Sequence, residues 1–437
     1  MASSLYSFLL ALSIVYIFVA PTHSTSRTAL NHHHEPKVAG FQIMLEHVDS
    51  GKNLTKFELL ERAVERGSRR LQRLEAMLNG PSGVETPVYA GDGEYLMNLS
   101  IGTPAQPFSA IMDTGSDLIW TQCQPCTQCF NQSTPIFNPQ GSSSFSTLPC
   151  SSQLCQALQS PTCSNNSCQY TYGYGDGSET QGSMGTETLT FGSVSIPNIT
   201  FGCGENNQGF GQGNGAGLVG MGRGPLSLPS QLDVTKFSYC MTPIGSSNSS
   251  TLLLGSLANS VTAGSPNTTL IQSSQIPTFY YITLNGLSVG STPLPIDPSV
   301  FKLNSNNGTG GIIIDSGTTL TYFVDNAYQA VRQAFISQMN LSVVNGSSSG
   351  FDLCFQMPSD QSNLQIPTFV MHFDGGDLVL PSENYFISPS NGLICLAMGS
   401  SSQGMSIFGN IQQQNLLVVY DTGNSVVSFL SAQCGAS

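Results

Sequence analysis

The tripeptide Asp-(Ser/Thr)-Gly occurs four times in this chain, at Asp49, Asp113, Asp315 and Asp421. One copy alone marks little more than a turn, because Asp, Ser and Gly all favour reversals. Two of the copies, however, share a setting. Asp113 closes the run Phe-Ser-Ala-Ile-Met and Asp315 closes Gly-Ile-Ile-Ile, and each is followed, after its Gly, by a hydroxyl residue, Ser116 or Thr318. Lying 202 residues apart, they fit one lobe each of a duplicated fold. At 437 residues the chain exceeds a single core of ordinary size. Short apolar bursts punctuated by Gly, Pro and runs of Ser, Thr and Asn read as strands and turns. The expected fold class is all-β, with two β-rich lobes and a cleft between them.

Elimination points to the same residues. Beyond residue 78 the only histidine is His372, so a zinc site needing two histidines cannot be built. A Ser-His pair would have to recruit that one residue, and no phosphate-binding loop is present. All 12 cysteines lie between Cys123 and Cys434, an even number that suits disulfides better than a nucleophile. Carboxylates remain. Asp49 belongs to the amino-terminal segment, and Asp421, between Leu-Leu-Val-Val-Tyr and Val-Val-Ser-Phe, reads as a hairpin turn. Asp113 and Asp315 are therefore the candidate catalytic pair. Two carboxyl groups about 3 Å apart cannot both ionise, so together they hold one proton in acid. The ionised member activates water while the protonated member polarises a carbonyl. The hydroxyls of Ser116 and Thr318 would orient the outer oxygens.

Charge divides the chain. Nine of the 13 Lys and Arg lie before residue 79, and the remainder holds only Arg223, Lys236, Lys302 and Arg332 against 19 carboxylates, a formal −15. Such a body repels nucleic acid and anionic membranes. With few ion pairs to lose on protonation, it also suits acid. Leu5 to Ala20 is an apolar run of signal-peptide length, giving an expected signal of residues 1–24 and an exported, extracellular protein. Residues 25–78 are expected to be a pro-segment. Within it Phe57, Leu60, Val64, Leu71, Leu74 and Leu78 fall at helical spacing, with Gly67 in the one empty slot. Thr55 and Glu58 offer a capping box and Asn79-Gly80-Pro81 a stop. The helix of about 56–78 would carry a basic face of Lys56, Arg62, Arg66, Arg69, Arg70 and Arg73, one of which is expected to lie against the dyad. The run His32-His33-His34-Glu35 has no pattern around it that would fix a metal geometry.

Over nearly all of residues 79–437 the chain resembles the pepsin-like aspartic proteases, and its cysteine-rich first lobe resembles the plant nepenthesin type. The resemblance rests on Asp113-Thr-Gly-Ser, Asp315-Ser-Gly-Thr and the downstream segments Gly217-Leu-Val-Gly-Met-Gly and Ile407-Phe-Gly. It implies a first catalytic lobe of 79–265 and a second of 266–437, acting on proteins or peptides as a monomer. It also implies inhibition by pepstatin-like compounds and no cofactor or metal. By the same resemblance Thr114 and Ser316 would link the two Asp loops. Tyr174 would be the flap tyrosine, and Trp120, seven residues after Asp113, would bond to it. On the residues alone, the favoured readings are Trp120 as a core side chain and Tyr170-Thr-Tyr-Gly-Tyr as an aromatic strand. The sequence around Tyr174 departs from animal members, and the long insert of many plant members is missing.

The spacing 5, 8, 5 of Cys150, Cys155, Cys163 and Cys168 suggests a nested hairpin with Cys155–Cys163 and Cys150–Cys168. The family resemblance implies Cys123–Cys126, Cys129–Cys203, Cys240–Cys434 and Cys354–Cys395. The alternative metal-binding reading of Cys123-x-x-Cys126-x-x-Cys129 is disfavoured in an oxidising compartment. Glycosylation sequons beyond residue 78 stand at Asn98, Asn131, Asn165, Asn198, Asn248, Asn267, Asn307, Asn340 and Asn345. The rival reading is a non-catalytic secreted inhibitor or binding protein on the same fold, where the dyad motifs are typically damaged. Here both are intact.

Overall fold

The computed structural model describes residues 40–79, 95–173, 178–210, 215–258, 264–304, 308–344, 350–358, 364–389, 392–402 and 404–435. The apolar run at the start of the chain, His32-His33-His34-Glu35, Tyr174, Asn307 and Asn345 lie outside them.

The fold is mostly strand and repeats one motif twice. In the first lobe Gln106–Asp113 runs parallel to Gly217–Gly220, with Asp113 opposite Gly220, and Gly217–Gly220 also pairs antiparallel with Trp120–Gln122. In the second, Ile312–Ile314 runs parallel to Ser406–Phe408, with Ile314 opposite Phe408, and Tyr322 pairs antiparallel with Ile407. Each Asp-Thr/Ser-Gly turn thus leaves a buried apolar strand and is backed by one of the apolar-Gly segments seen in the sequence. Strands buried on both faces read as continuous apolar runs, which is why Ile-Ile-Ile shows no alternation.

A long sheet joins the lobes. Lys236–Cys240 pairs with Ser250–Gly255 on one side and with Leu416–Asp421 on the other, and Leu416–Asp421 continues through Val426–Ser431 to Asn267–Ile271. The amino-terminal strand Gly40–His47 is part of this sheet, lying between Ser250–Gly255 and Tyr95–Ile101. It alternates buried Phe41, Ile43 and Leu45 with exposed Gln42, Met44 and Glu46, the period of a half-buried strand.

The helix Lys56–Asn79 follows. Its start is the expected capping box: Thr55 N–H donates to Glu58 Oε2 at 2.8 Å and Glu58 N–H to Thr55 Oγ1 at 3.2 Å. Leu60, Val64, Leu71 and Leu74 are buried, together with Leu59 and Ala63, against second-lobe residues that include Phe279, Tyr322, Phe351 and Ile407. Phe57 departs from the expected stripe. It stands in the first turn, ahead of that apolar surface, and is 36% exposed. Burying each Leu or Val is worth about 1.5–3 kcal/mol. Apolar contact therefore helps to seat this helix.

Six disulfides pair all the cysteines. Cys240–Cys434 and Cys354–Cys395 are as expected, but the other four pairs are not. Trp120–Gln122 runs parallel to the strand carrying Cys203, with Thr121 opposite it, so Cys123 bonds to Cys203 and Cys126 closes on Cys129. In the cysteine-rich insert the pairs are Cys150–Cys163 and Cys155–Cys168. The short helix Gln153–Gln156 interrupts the presumed hairpin and turns Cys155 into the core where Cys168 is buried. That leaves Cys150 to the exposed Cys163.

Candidate active site

Asp113 and Asp315 are both wholly buried at the ends of their strands, and their surroundings match atom for atom. Ser116 Oγ donates to Asp113 Oδ2 at 2.5 Å, and Thr318 Oγ1 donates to Asp315 Oδ2 at 2.5 Å. The inner oxygens take backbone donors: Gly115 N–H to Asp113 Oδ1 at 2.9 Å, and Gly317 N–H to Asp315 Oδ1 at 3.1 Å. The loops also exchange bonds. Ser316 N–H donates to Thr114 Oγ1 at 2.9 Å and Thr114 N–H to Ser316 Oγ at 3.3 Å. Close approach explains the glycines, since a Cβ on Gly115 would fall 3.1 Å from Asp315 Oδ1.

Between the two carboxylates lies Arg70. Its Nε donates to Asp315 Oδ2 at 2.7 Å and its Nη2 to Asp315 Oδ1 at 3.0 Å, while Nη2 also donates to Asp113 Oδ1. Burial works against ionisation of Asp113, but the Arg70 guanidinium, helped by Ser116 and Gly115, holds its carboxyl below the ordinary carboxylate range. Burial likewise opposes the charge on Arg70, yet the two carboxylates outweigh it and raise its pKa.

Arg70 is only 5% exposed, so it does not belong to a solvated basic face as its neighbours in the sequence suggest. It falls three residues after Gly67 and four before Leu74, which puts it inside the buried stripe. A cation in that register, next to a glycine, is the signal a composition-based reading passes over. Arg66, 2.7 Å from Asp49, and Lys52, 2.8 Å from it, instead bond within their own segment, with Arg62 at 3.5 Å. Asp49 is 2% exposed, and burial acts to raise its pKa, but these cations hold it low.

Trp120 is buried in a cluster with the rings of Phe210, at 4.9 Å, and Phe130, at 6.4 Å. Its expected partner Tyr174 falls outside the described residues. Asp117, which the sequence reading did not single out, accepts from Gly224 N–H at 2.8 Å and Thr278 Oγ1 at 2.6 Å, and burial raises its pKa. Asp421 sits at a hairpin end, bonded to Lys236 and Asn424. Of the sequons, Asn98, Asn131, Asn165, Asn198, Asn248 and Asn340 are exposed. Asn267 is half-buried, and its amide donates to Ser265 O.

A two-lobed β-fold that brings one Asp-Thr/Ser-Gly loop from each lobe to a shared centre is that of the aspartic proteinases, and this chain belongs to the plant pepsin-like aspartic protease family. Residues 95–256 match the family model described as xylanase inhibitor N-terminal, and residues 279–431 the one described as xylanase inhibitor C-terminal. The chain is 94% identical over 437 residues, all of both chains, to aspartic proteinase nepenthesin-1 of Nepenthes gracilis. It is 66% identical over 439 residues, again all of both, to aspartic proteinase nepenthesin-2 of the same plant. Among solved structures, the crystal structure of edgp matches in fold with a TM-score of 0.63 at 19% identity, over 91% of this chain and 95% of that one. The chain is thus an aspartic proteinase, a hydrolase acting on proteins or peptides.

Proposed function

We propose that this is a secreted acid endopeptidase made as a zymogen, with Asp113 and Asp315 as its catalytic pair. Residues 1–24 are the signal and 25–78 the pro-segment, ahead of lobes 79–265 and 266–437. The observation that carries the reading is Arg70, a cation of the amino-terminal segment bonded to both carboxylates. A guanidinium in that position stands where the shared proton would be held, and it fills the space a water and a scissile carbonyl would need. Once it leaves, the two carboxyls cannot both ionise and retain one proton between them. The ionised partner then takes a proton from water as the water oxygen attacks the peptide carbonyl carbon. The protonated partner donates to the carbonyl oxygen. Collapse of the resulting diol breaks the C–N bond, with a proton passing to the leaving amine.

Acid supplies the release. Below the ordinary carboxylate value of 3.8, protonating Asp113 removes one of Arg70's two partners and protonating Asp49 removes the partner of Arg66 and Lys52, while the cations stay charged. Export is supported by the full pairing of 12 cysteines, which fits an oxidising compartment. The test is a digest of denatured globin at pH 2–4, with and without pepstatin, by protein collected from the medium of expressing cells. Pepstatin-sensitive cleavage is the expected result. Resistance to pepstatin, or retention of the protein inside the cells, would contradict the reading.

A further inference from the structure

Beneath the two Asp loops lies a closed set of buried polar side chains that the proposed chemistry does not use. Tyr420 is the penultimate residue of Leu416–Asp421, and Tyr239 sits in the neighbouring strand Lys236–Cys240, in the sheet that joins the lobes. Both are fully buried. Ser316 N–H donates to Thr114 Oγ1 at 2.9 Å, and the Thr114 side chain lies against the Tyr420 hydroxyl. The Tyr420 and Tyr239 hydroxyls are 3.0 Å apart, and the Tyr239 hydroxyl donates to Gln413 Oε1. Gln413 Nε2 in turn donates to Phe408 O at 2.8 Å and reaches Asp315 O at 3.4 Å.

The donors run one way round. Tyr239 gives its proton to Gln413, so Tyr420 gives its own to Tyr239 and its oxygen faces the Thr114 hydroxyl as an acceptor. The path leaves the second-lobe loop at Ser316 and returns to it at Asp315 O, crossing to the first lobe at Thr114. Packing holds the phenols in register. Phe237 stacks on Tyr420 at 4.3 Å, and Tyr280 meets it edge-on at 4.7 Å. Burial also pushes both phenol pKa values up, so both remain donors at any working pH.

We propose that Tyr239, Tyr420 and Gln413 are positioning residues. Their ring of hydrogen bonds sets the direction of the Thr114 hydroxyl and the placement of the Asp315 carbonyl, and so aligns the Asp113 and Asp315 loops. The inference rests on the assignment of these two aspartates as the catalytic pair. Hydrogen-bond rings of this kind act as a unit, so breaking one link forfeits most of the effect.

The test compares Tyr239→Phe, Tyr420→Phe and the double variant in the full chain, activated in acid and titrated for active sites with pepstatin. The control is Tyr385→Phe, a buried tyrosine of the second lobe whose hydroxyl donates to Pro367 O, away from both Asp loops. Each ring variant should lower kcat about tenfold, because small misplacement of reacting groups is costly, with KM within about twofold. The double variant should be no worse than the weaker single, and Tyr385→Phe should keep its kcat. An unchanged kcat, a loss carried by KM, additive losses, or an equal loss in Tyr385→Phe would overturn the proposal. If the Phe variants fail to fold, Gln413→Met decides by the same kcat criterion. Asp113→Asn and Asp315→Asn are assayed alongside. Turnover by either would sink the catalytic assignment itself, whereas inactive Asp variants beside unaffected ring variants would sink the ring alone.

Discussion

Gly67 packs directly on Thr319: a Cβ built on Gly67 would lie 2.7 Å from Thr319 Cβ. The same threonine donates its hydroxyl to Ala63 O, one turn earlier in the helix. The gap in the apolar stripe is therefore the point where the helix touches the loop that carries Asp315. Alanine at 67 gains up to about 1 kcal/mol of helix propensity. Overpacking against a buried β-branched side chain costs about 1–3 kcal/mol and should win. Gly67→Ala should let the precursor process at a higher pH than wild type, and Gly67→Val higher still. Amino-terminal sequencing across a pH series checks the order.

On the proposed zymogen reading, Asp49 is a second acid-labile tie. Its pKa is lowered in the folded precursor, so its contribution is full above the ordinary carboxylate value and is lost as pH falls through the lowered one. Asp49→Asn should destabilise the precursor at neutral pH by about 1–3 kcal/mol, as expected when one member of a buried ionic cluster is removed. The midpoint of urea unfolding at pH 7 should drop, and the difference from wild type should shrink toward pH 3. A constant difference across that range would argue against the carboxylate as its source.

Position within the fold separates the three Asp-Ser/Thr-Gly copies beyond the amino-terminal segment. Asp113→Asn and Asp315→Asn should each reduce peptide turnover by at least about a thousandfold, because a proton-sharing pair needs two acids. Asp421→Asn keeps its turn and loses only a partly exposed pair with Lys236, so its activity should stay within about twofold. Initial rates at pH 3, normalised to folded protein, make the comparison.

The cystine framework gives a chemical check on the insert. Proteolysis under non-reducing conditions followed by mass spectrometry should join Cys150 to Cys163, Cys155 to Cys168 and Cys123 to Cys203. Recovery of Cys150–Cys168 would restore the nested hairpin.

Much of the site was legible because its chemistry demands a repeat. A pair of Asp-Thr/Ser-Gly turns behind apolar strands can be recognised without coordinates, and the helix announced itself through its capping box and its Leu and Val spacing. Arg70 was harder. Clustered among other cations, it looked like one more member of a solvated face, and only its register with Gly67 and Leu74 distinguishes it. The strand Gly40–His47 was masked because exposed Met44 breaks the polar alternation. The cystine permutation within the insert depended on one four-residue helix, too short to leave a periodic signal. The tyrosine ring rests on Tyr239 and Tyr420, 181 positions apart, brought together by a pairing of distant strands that no local pattern encodes.

The central claim is that Arg70 holds Asp113 and Asp315 inactive until acid releases it. Precursor refolded at pH 7 and stepped toward pH 3 in the presence of a fluorogenic peptide tests it most directly, with Arg70→Ala beside wild type. Wild type should remain silent until the pH falls below about 4, where carboxylates protonate. Arg70→Ala loses a buried pairing worth about 3 kcal/mol, so its turnover should begin at least about one pH unit higher. If both proteins begin to cleave at the same pH, Arg70 is not the lock.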